Sequence, residues 1–168
     1  MLKNLIIAVT LLLMSTFASA QMSKFQALFI FQFAKNTGWA QDGSAHNFVI
    51  TVIGDKSVAQ DLRQIVNNKA IGDRPIVVEE AVSVSGLPKS DIIFLGESKA
   101  AHVKSLVSNQ DNLNVLLISG TPGHCSNGMG ISFVNEDGKL KYQYSEANIK
   151  KHGLAVSSKL TALGSPVF

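Results

Sequence analysis

Short apolar runs recur along the middle of the chain, and segments with a helical pattern separate them. The runs lie at residues 48–55, 76–79, 91–97 and 113–120. Such continuous aliphatic runs are typical of strands that are buried on both faces of a sheet. Helices are predicted at about 57–67 and over 99–108, and Ser98 is the expected N-cap of the second. This alternation predicts a mainly parallel α/β sheet flanked by helices.

An aromatic helix is predicted before the first strand, over residues 23–39. Three phenylalanines recur in it at a spacing of four residues: Phe25, Phe29 and Phe33. This spacing favours a position in the core. Ile30 and Phe31 lie on other faces, where the C-terminal segment or a partner is expected to cover them. The helix should end near Gly38, with Trp39 packed over its end.

The last third of the chain has the pattern of a hairpin followed by helices. In its second strand, three apolar residues alternate strictly with polar ones: Leu140, Tyr142 and Tyr144. One face of this hairpin should therefore be wet, and Gly138 in its turn should have a positive φ. A helix is predicted to begin at Ser145 and to break at Gly153, and a second helical stretch should continue to about Leu163.

The first twenty residues have the pattern of a secretory signal peptide. Lys3 precedes an apolar run from Leu5 to Met14, and small residues follow at Ala18-Ser19-Ala20. Cleavage is predicted after Ala20, so that residues 21–168 form a single domain in the periplasm. The one cysteine, Cys125, has no partner for an internal disulfide, which leaves an intermolecular bridge and a homodimer as open alternatives.

Charge gives little indication of a polyanionic partner. The chain has 15 basic and 12 acidic residues, a formal net charge of +3, and the basic residues are scattered. No cluster of Lys and Arg is interleaved with aromatic residues, as a nucleic-acid groove requires. Nucleic acid is therefore excluded as the expected partner.

The first strand-to-helix turn does not have the sequence of a dinucleotide site. It contains Gly54 and Asp55 in "VIGDKSVAQDL", where G-x-G-x-x-G would be needed for the backbone to approach a pyrophosphate. A carboxylate at the start of the helix would also repel that phosphate. Asp55 is better explained as a capping residue, so no nucleotide cofactor is expected.

The glycine-rich loop of residues 120–130 is the candidate ligand loop, with four residues of interest: Gly123, His124, Cys125 and Gly128. A structural role is favoured, because a junction between a parallel sheet and a hairpin needs positive φ and close approach. A small-molecule site there is the alternative. Neighbouring residues of an extended segment point in opposite directions, so His124 and Cys125 are not expected to act as base and nucleophile.

Catalytic and metal constellations are not expected elsewhere. The other histidines, His46, His102 and His152, have no ligand-type spacing. Acidic neighbours such as Glu79 and Glu80 should diverge from a strand rather than converge on a substrate. The sequence therefore predicts a non-enzymatic protein without a metal.

Several stretches taken together resemble the YfiR-like family of periplasmic regulators. They are "FQFAKNTGW", "FVITVIGD", "AIGDRPIVV", "DIIFLGES" and a terminal block that runs from "GMGISFVNEDGKLKYQYS" to "SSKLTALGSPV". The order and spacing of these blocks carry the resemblance, which covers nearly all of residues 21–168. The terminal block is its most specific part.

The resemblance implies a Rossmann-like α/β domain without a cofactor that binds a membrane-bound signalling protein. In that family the partner is the periplasmic sensory domain of an inner-membrane diguanylate cyclase, which is held inactive so that cyclic-di-GMP signalling and biofilm formation are restrained. A sensor kinase is a further partner of this kind. Apolar contacts are expected from the hairpin, the terminal helix and the end of the first helix, at six residues: Trp39, Phe133, Tyr142, Tyr144, Leu154 and Leu160.

Overall fold

The computed structural model describes residues 21–39, 46–110 and 114–167. The expected signal peptide, residues 1–20, lies outside this part of the chain. Five helices are described, of which the first covers residues 21–36 and is called α1. The others are α2 (Lys56–Val66), α3 (Val103–Asn109), α4 (Glu146–Lys151) and α5 (Ser158–Thr161). Two 3-10 helices are formed by Glu97–His102 and His124–Asn127.

Five parallel strands form the centre of the sheet: β2 (Phe48–Ile53), β4 (Arg74–Ala81), β5 (Ile92–Leu95), β6 (Leu116–Ser119) and β7 (Ile131–Glu136). Their order is β4-β2-β5-β6-β7. Antiparallel β8 (Lys139–Tyr144) follows β7, and β10 (Ser165–Pro166) runs parallel to β8 at one edge. At the other edge, β3 (Ala70–Ile71) pairs with β4. This architecture confirms the predicted Rossmann-like α/β fold with a C-terminal hairpin.

A separate two-stranded pairing joins the end of α1 to the C-terminal segment. Thr37 pairs with Val156 and Gly38 with Ala155, which defines β1 (Thr37–Gly38) and β9 (Ala155–Val156). A Cβ on Gly38 would lie 2.8 Å from the Cβ of Ala155, so the close approach requires glycine. The helix ends at residue 36, close to the predicted position, because the chain becomes extended to make this pairing.

The face that α1 buries differs from the predicted one. A line of small or medium-sized residues faces the core: Ser23, Ala27, Ile30 and Ala34, each at most 6% exposed. Phe33 is also buried, but Phe25 is 44% exposed, so its expected core position is wrong. The two alanines explain the difference, because small side chains let the helix approach its neighbours closely while large ones on the adjacent face stay outside.

Helix starts follow their capping residues in most cases. The Oδ1 of Asp55 accepts a hydrogen bond from the Val58 amide at 3.0 Å, which confirms its predicted capping role. Ser145 likewise caps α4. Ser98 does not cap a helix, and its hydroxyl instead donates to the Gly54 carbonyl at 2.6 Å.

The C-terminal hairpin has the predicted geometry. Asp137 and Gly138 have φ of 53° and 75°, as a tight two-residue turn between right-twisted strands requires. Along β8, Tyr142 and Tyr144 are buried whereas Lys139 and Lys141 are exposed, which confirms the wet face. Positive φ at Gly153 then separates α4 from β9 and the short helix α5.

Two hydrophobic clusters hold the layers together. The larger contains α1 and α2 residues packed on one face of the sheet, with Phe48, Phe94 and Phe133 almost completely buried. The smaller lies on the other face, where Val84 from the β4–β5 connection and Leu106 from α3 cover Ile93. The C-terminal segment belongs to the larger cluster through Ile149, Leu154 and Leu160.

Candidate functional site

The position that binds ligands in many open α/β sheets is occupied here by the protein itself. The chain leaves β2 and β5 toward opposite sides of the sheet, and their carboxyl ends define the switch point. The Gly96 amide donates to the Ile53 carbonyl at 2.8 Å, and Ser98 bonds to Gly54. A Cβ on Gly96 would lie 2.9 Å from the Cβ of Asp55. The two turns are therefore packed against each other.

The glycine-rich loop is a tight turn around the 3-10 helix His124–Asn127. The predicted extended conformation of this segment is therefore wrong. Gly123 and Gly128 flank the helix with φ of 79° and 100°. A Cβ on Gly128 would lie 2.7 Å from Val107 Cγ1, so both the dihedral angle and the packing against α3 require glycine.

His124 is bonded to Ser119 at the end of β6. Its Nδ1 lies 2.8 Å from the Ser119 hydroxyl oxygen, which also accepts from the Thr121 amide at 3.0 Å. Burial lowers the pKa of His124, which favours the neutral imidazole. Ser119 is fully buried, so this Ser–His pair holds the start of the loop in place and presents no accessible nucleophile.

Cys125 lies inside the loop and is 3% exposed. Its Sγ lies 3.4 Å from the Ser132 hydroxyl and 3.6 Å from the Gln143 carbonyl. Burial raises the pKa of the thiol, so the unreactive protonated form is favoured. From α4, Asn148 donates to the carbonyls of Cys125 and Met129 at 2.8 and 2.9 Å. The loop thus fixes α4 against the end of the sheet.

Five of the six expected partner contacts are buried within the domain: Phe133 (1% exposed), Tyr142 (2%), Tyr144 (7%), Leu154 (3%) and Leu160 (3%). These five side chains therefore belong to the core of the domain, and their expected role in partner binding stays a prediction. The apolar face of the hairpin packs under α1, where the rings of Phe33 and Tyr142 meet edge to face at 4.8 Å. Alternation in β8 therefore marked the core face of the sheet.

Trp39, the sixth residue, is partly buried at the end of α1. Its Nε1 donates to the Ala34 carbonyl at 2.7 Å, and its ring meets the Phe48 ring edge to face at 4.9 Å. This confirms the expectation that Trp39 packs over the helix end. It also satisfies a carbonyl of the last helical turn.

An apolar groove lies between α1 and the segment that contains α5. Its volume is about 390 Å³, and its lining includes Phe29, Phe33, Tyr142, Leu160, Ala162 and Leu163. Leu163, which lines the groove, is 74% exposed, and Phe25 (44%) and Leu28 (37%) are exposed on α1. An exposed apolar surface is characteristic of an interaction site. Tyr142 and Leu160, buried as they are, form part of its wall.

A second, more polar cavity of about 1030 Å³ opens at the amino ends of the strands. The guanidinium of Arg74 on its wall donates to both carboxylate oxygens of Asp91 at 2.8 Å and to the carbonyls of His46 and Asn47 at 2.9 and 2.8 Å. Asp91 also accepts from the Val49 amide at 2.8 Å. This ion pair and its hydrogen bonds hold the start of β2 against β4 and β5. The two charged groups therefore have their partners within the protein.

Two features are absent from the described ranges 21–39, 46–110 and 114–167. Within them, no cluster of three or more His, Cys, Asp or Glu side chains is arranged to hold a metal. No helix there has the length and apolar character needed to cross a bilayer.

The fold and the groove together define an α/β domain with a surface suited to protein binding. The profile of the YfiR/HmsC-like family matches residues 23–165, so the chain belongs to that family. The family is one of periplasmic regulators. A comparison with curated proteins found no match. The resemblance inferred from the sequence is thus confirmed.

Proposed function

We propose that this protein is a non-enzymatic periplasmic regulator that binds the periplasmic domain of an inner-membrane signalling protein and holds it inactive. A diguanylate cyclase is the first candidate, and a sensor kinase is the second. Family membership supports the class, and the exposed apolar groove between α1 and α5 is the observation that carries the binding role. Export through cleavage of residues 1–20 is part of the same proposal.

The regulator works by preferring one state of its partner. A binder shifts an equilibrium between active and inactive states only by the ratio of its affinities for the two. A 100-fold preference for the inactive state, for example, corresponds to about 2.7 kcal/mol. The rigid attachment of α1 through β1 and β9 suits this task, because a preorganised groove loses little entropy on binding.

Affinity capture tests the proposal. The full chain is expressed in its own host with a tag after Phe168, and proteins retained from detergent-solubilised membranes are identified by mass spectrometry. We expect an inner-membrane diguanylate cyclase or sensor kinase, enriched over a capture with an unrelated periplasmic protein. Repeated captures with crosslinking that retain no signalling protein would contradict the proposal.

A deletion strain tests the direction of control. If the partner is a diguanylate cyclase that is restrained, loss of this protein should raise cellular cyclic-di-GMP and biofilm mass, and the full chain supplied in trans should restore both. A fall in cyclic-di-GMP on deletion would show activation instead of restraint.

A further inference from the structure

The exposed face of α1 carries an apolar centre between two lysines. Lys24, Phe25, Leu28, Gln32 and Lys35 follow one another at steps of one to four residues, and all five are exposed. At a rise of about 1.5 Å per residue, the two lysines are separated by about 16 Å along the helix axis. This stripe borders the apolar groove through Gln32, which also lines it.

The two chain segments that form the groove carry charges of one sign, and the nearby acidic residue Asp61 of α2 accepts a hydrogen bond from the Ser23 hydroxyl at 2.6 Å. Residues 21–39 and 155–168 contain Lys24, Lys35 and Lys159 but neither Asp nor Glu. Lys159 lines the groove directly. The ion pairs formed among the described residues involve other side chains, so these three ammonium groups have no carboxylate partner there. The groove therefore has an apolar lining with one lysine, Lys159, and the exposed stripe of α1 beside it adds Lys24 and Lys35.

We propose that the groove binds an amphipathic helix of the partner whose apolar stripe is flanked by acidic residues about three turns apart. This inference rests on the proposed function and names the element that is recognised. An apolar groove beside a helix accommodates the apolar face of a second helix. Carboxylates at the ends of that face would meet Lys159 and the lysines of the α1 stripe, which fixes orientation and excludes basic competitors.

The same charges argue against a second copy of this chain as the occupant. Pairing two such faces would bring lysines against lysines, and like charges at an interface oppose association. An anionic lipid surface has the right charge and would contact the exposed α1 stripe, but a bilayer surface would not fill the concave volume of the groove. Both alternatives are distinguished by the experiment.

Two synthetic peptides of about 18 residues provide the probe. They share one apolar stripe with helical spacing and differ in the residues that flank it, which are Glu in one peptide and Lys in its twin. Binding to the purified full chain is measured by fluorescence anisotropy at about 0.05 and about 0.5 M salt, where screening lengths differ severalfold. We expect the Glu peptide to bind on the order of tenfold more tightly at low salt, with the difference largely lost at high salt.

A matched pair of lysine variants locates the effect. Lys159→Gln should weaken binding of the Glu peptide by about two- to fivefold, the range expected for one exposed ion pair. Lys104→Gln removes the same charge from an exposed position on α3, away from the groove, and should leave binding unchanged. Circular dichroism of both variants confirms that each is folded.

Three outcomes would overturn the inference. Equal binding of the two peptides at low salt would show that the groove does not recognise acidic residues beside the apolar stripe. Membrane capture of a signalling protein would still support the proposed function in that case. Release of the Glu peptide when the protein dimerises at high concentration would assign the groove to a second copy of the chain. Displacement by vesicles rich in phosphatidylglycerol, with no peptide preference, would assign it to a membrane surface.

Discussion

Removal of one hydroxyl group tests how the C-terminal segment is held against the sheet. The Tyr142 hydroxyl donates to the Leu160 carbonyl at 2.5 Å, and both residues are at most 3% exposed. Tyr142→Phe leaves that carbonyl without this donor in a buried site, which costs about 1–3 kcal/mol. For a domain of this size the melting temperature should fall by about 3–9 °C.

The same residue gives the stability a defined pH dependence. Burial, and to a smaller extent the nearby Tyr144, raises the pKa of Tyr142 to about 12. Because the folded protein holds the proton more tightly than the unfolded chain, this contribution is complete below pH of about 10 and is lost as pH rises toward 12. A shift of two pKa units corresponds to at most about 3 kcal/mol.

Urea unfolding of wild type and Tyr142→Phe at pH 8 and at pH 11 measures both effects. Other groups titrate in this range, so the quantity of interest is the difference between the two proteins. We expect a clear difference in unfolding free energy at pH 8 that shrinks at pH 11. Equal stability at pH 8, or a difference that grows with pH, would refute the hydrogen bond or its direction of linkage.

Substitutions at Gly128 and Asp55 and chemical labelling of Cys125 test the glycine-rich loop and the N-cap of α2. Gly128→Ala should cost about 1–3 kcal/mol, because alanine resists a positive φ and its Cβ would meet Val107; unchanged urea unfolding would contradict this. Asp55→Ala should cost about 1 kcal/mol, whereas Asp55→Asn retains a side-chain acceptor for the Val58 amide and should cost less, as thermal unfolding would show. Cys125 should resist an aromatic disulfide reagent in the native protein and react after unfolding in guanidinium; rapid native reaction would show an accessible thiol.

The sheet could be predicted because its strands have a simple signature. Parallel strands covered on both faces must be apolar throughout, and the runs at β2, β5 and β6 satisfy this condition. The hairpin could also be predicted, because its two-residue turn needs positive φ and its second strand alternates between a buried and a wet face. Both signals are local in the sequence.

The proposed binding surface could not be predicted in the same way. Large aromatic residues in α1 suggested the core, yet close packing selected Ala27 and Ala34 for the buried face and left Phe25 partly in solvent. Leu163 is exposed because of the path that the C-terminal segment takes across α1, which depends on contacts between distant parts of the chain. A line of small residues at helical spacing is the signal that would have indicated the buried face.

The glycine-rich loop illustrates the difference between a composition and a site. Its glycines suggested either a ligand site or a structural turn, and the positive φ of Gly123 and Gly128 supports the structural turn. His124 bonds to Ser119, and Asn148 donates from α4 to the Cys125 carbonyl, so these two polar groups of the loop are engaged with the protein. The sequence carried no indication that these distant residues would meet.

Membrane capture with a groove variant tests the central claim most directly. Leu163→Asp places a charge on the apolar groove, and Val82→Asp is the matched control because Val82 is 86% exposed but lies outside the groove. Recovery of the membrane signalling protein, quantified by mass spectrometry, should fall on the order of tenfold or more with Leu163→Asp and stay at the wild-type level with Val82→Asp. Equal recovery with both variants, each shown to be folded, would contradict the assignment of the groove as the regulatory binding site.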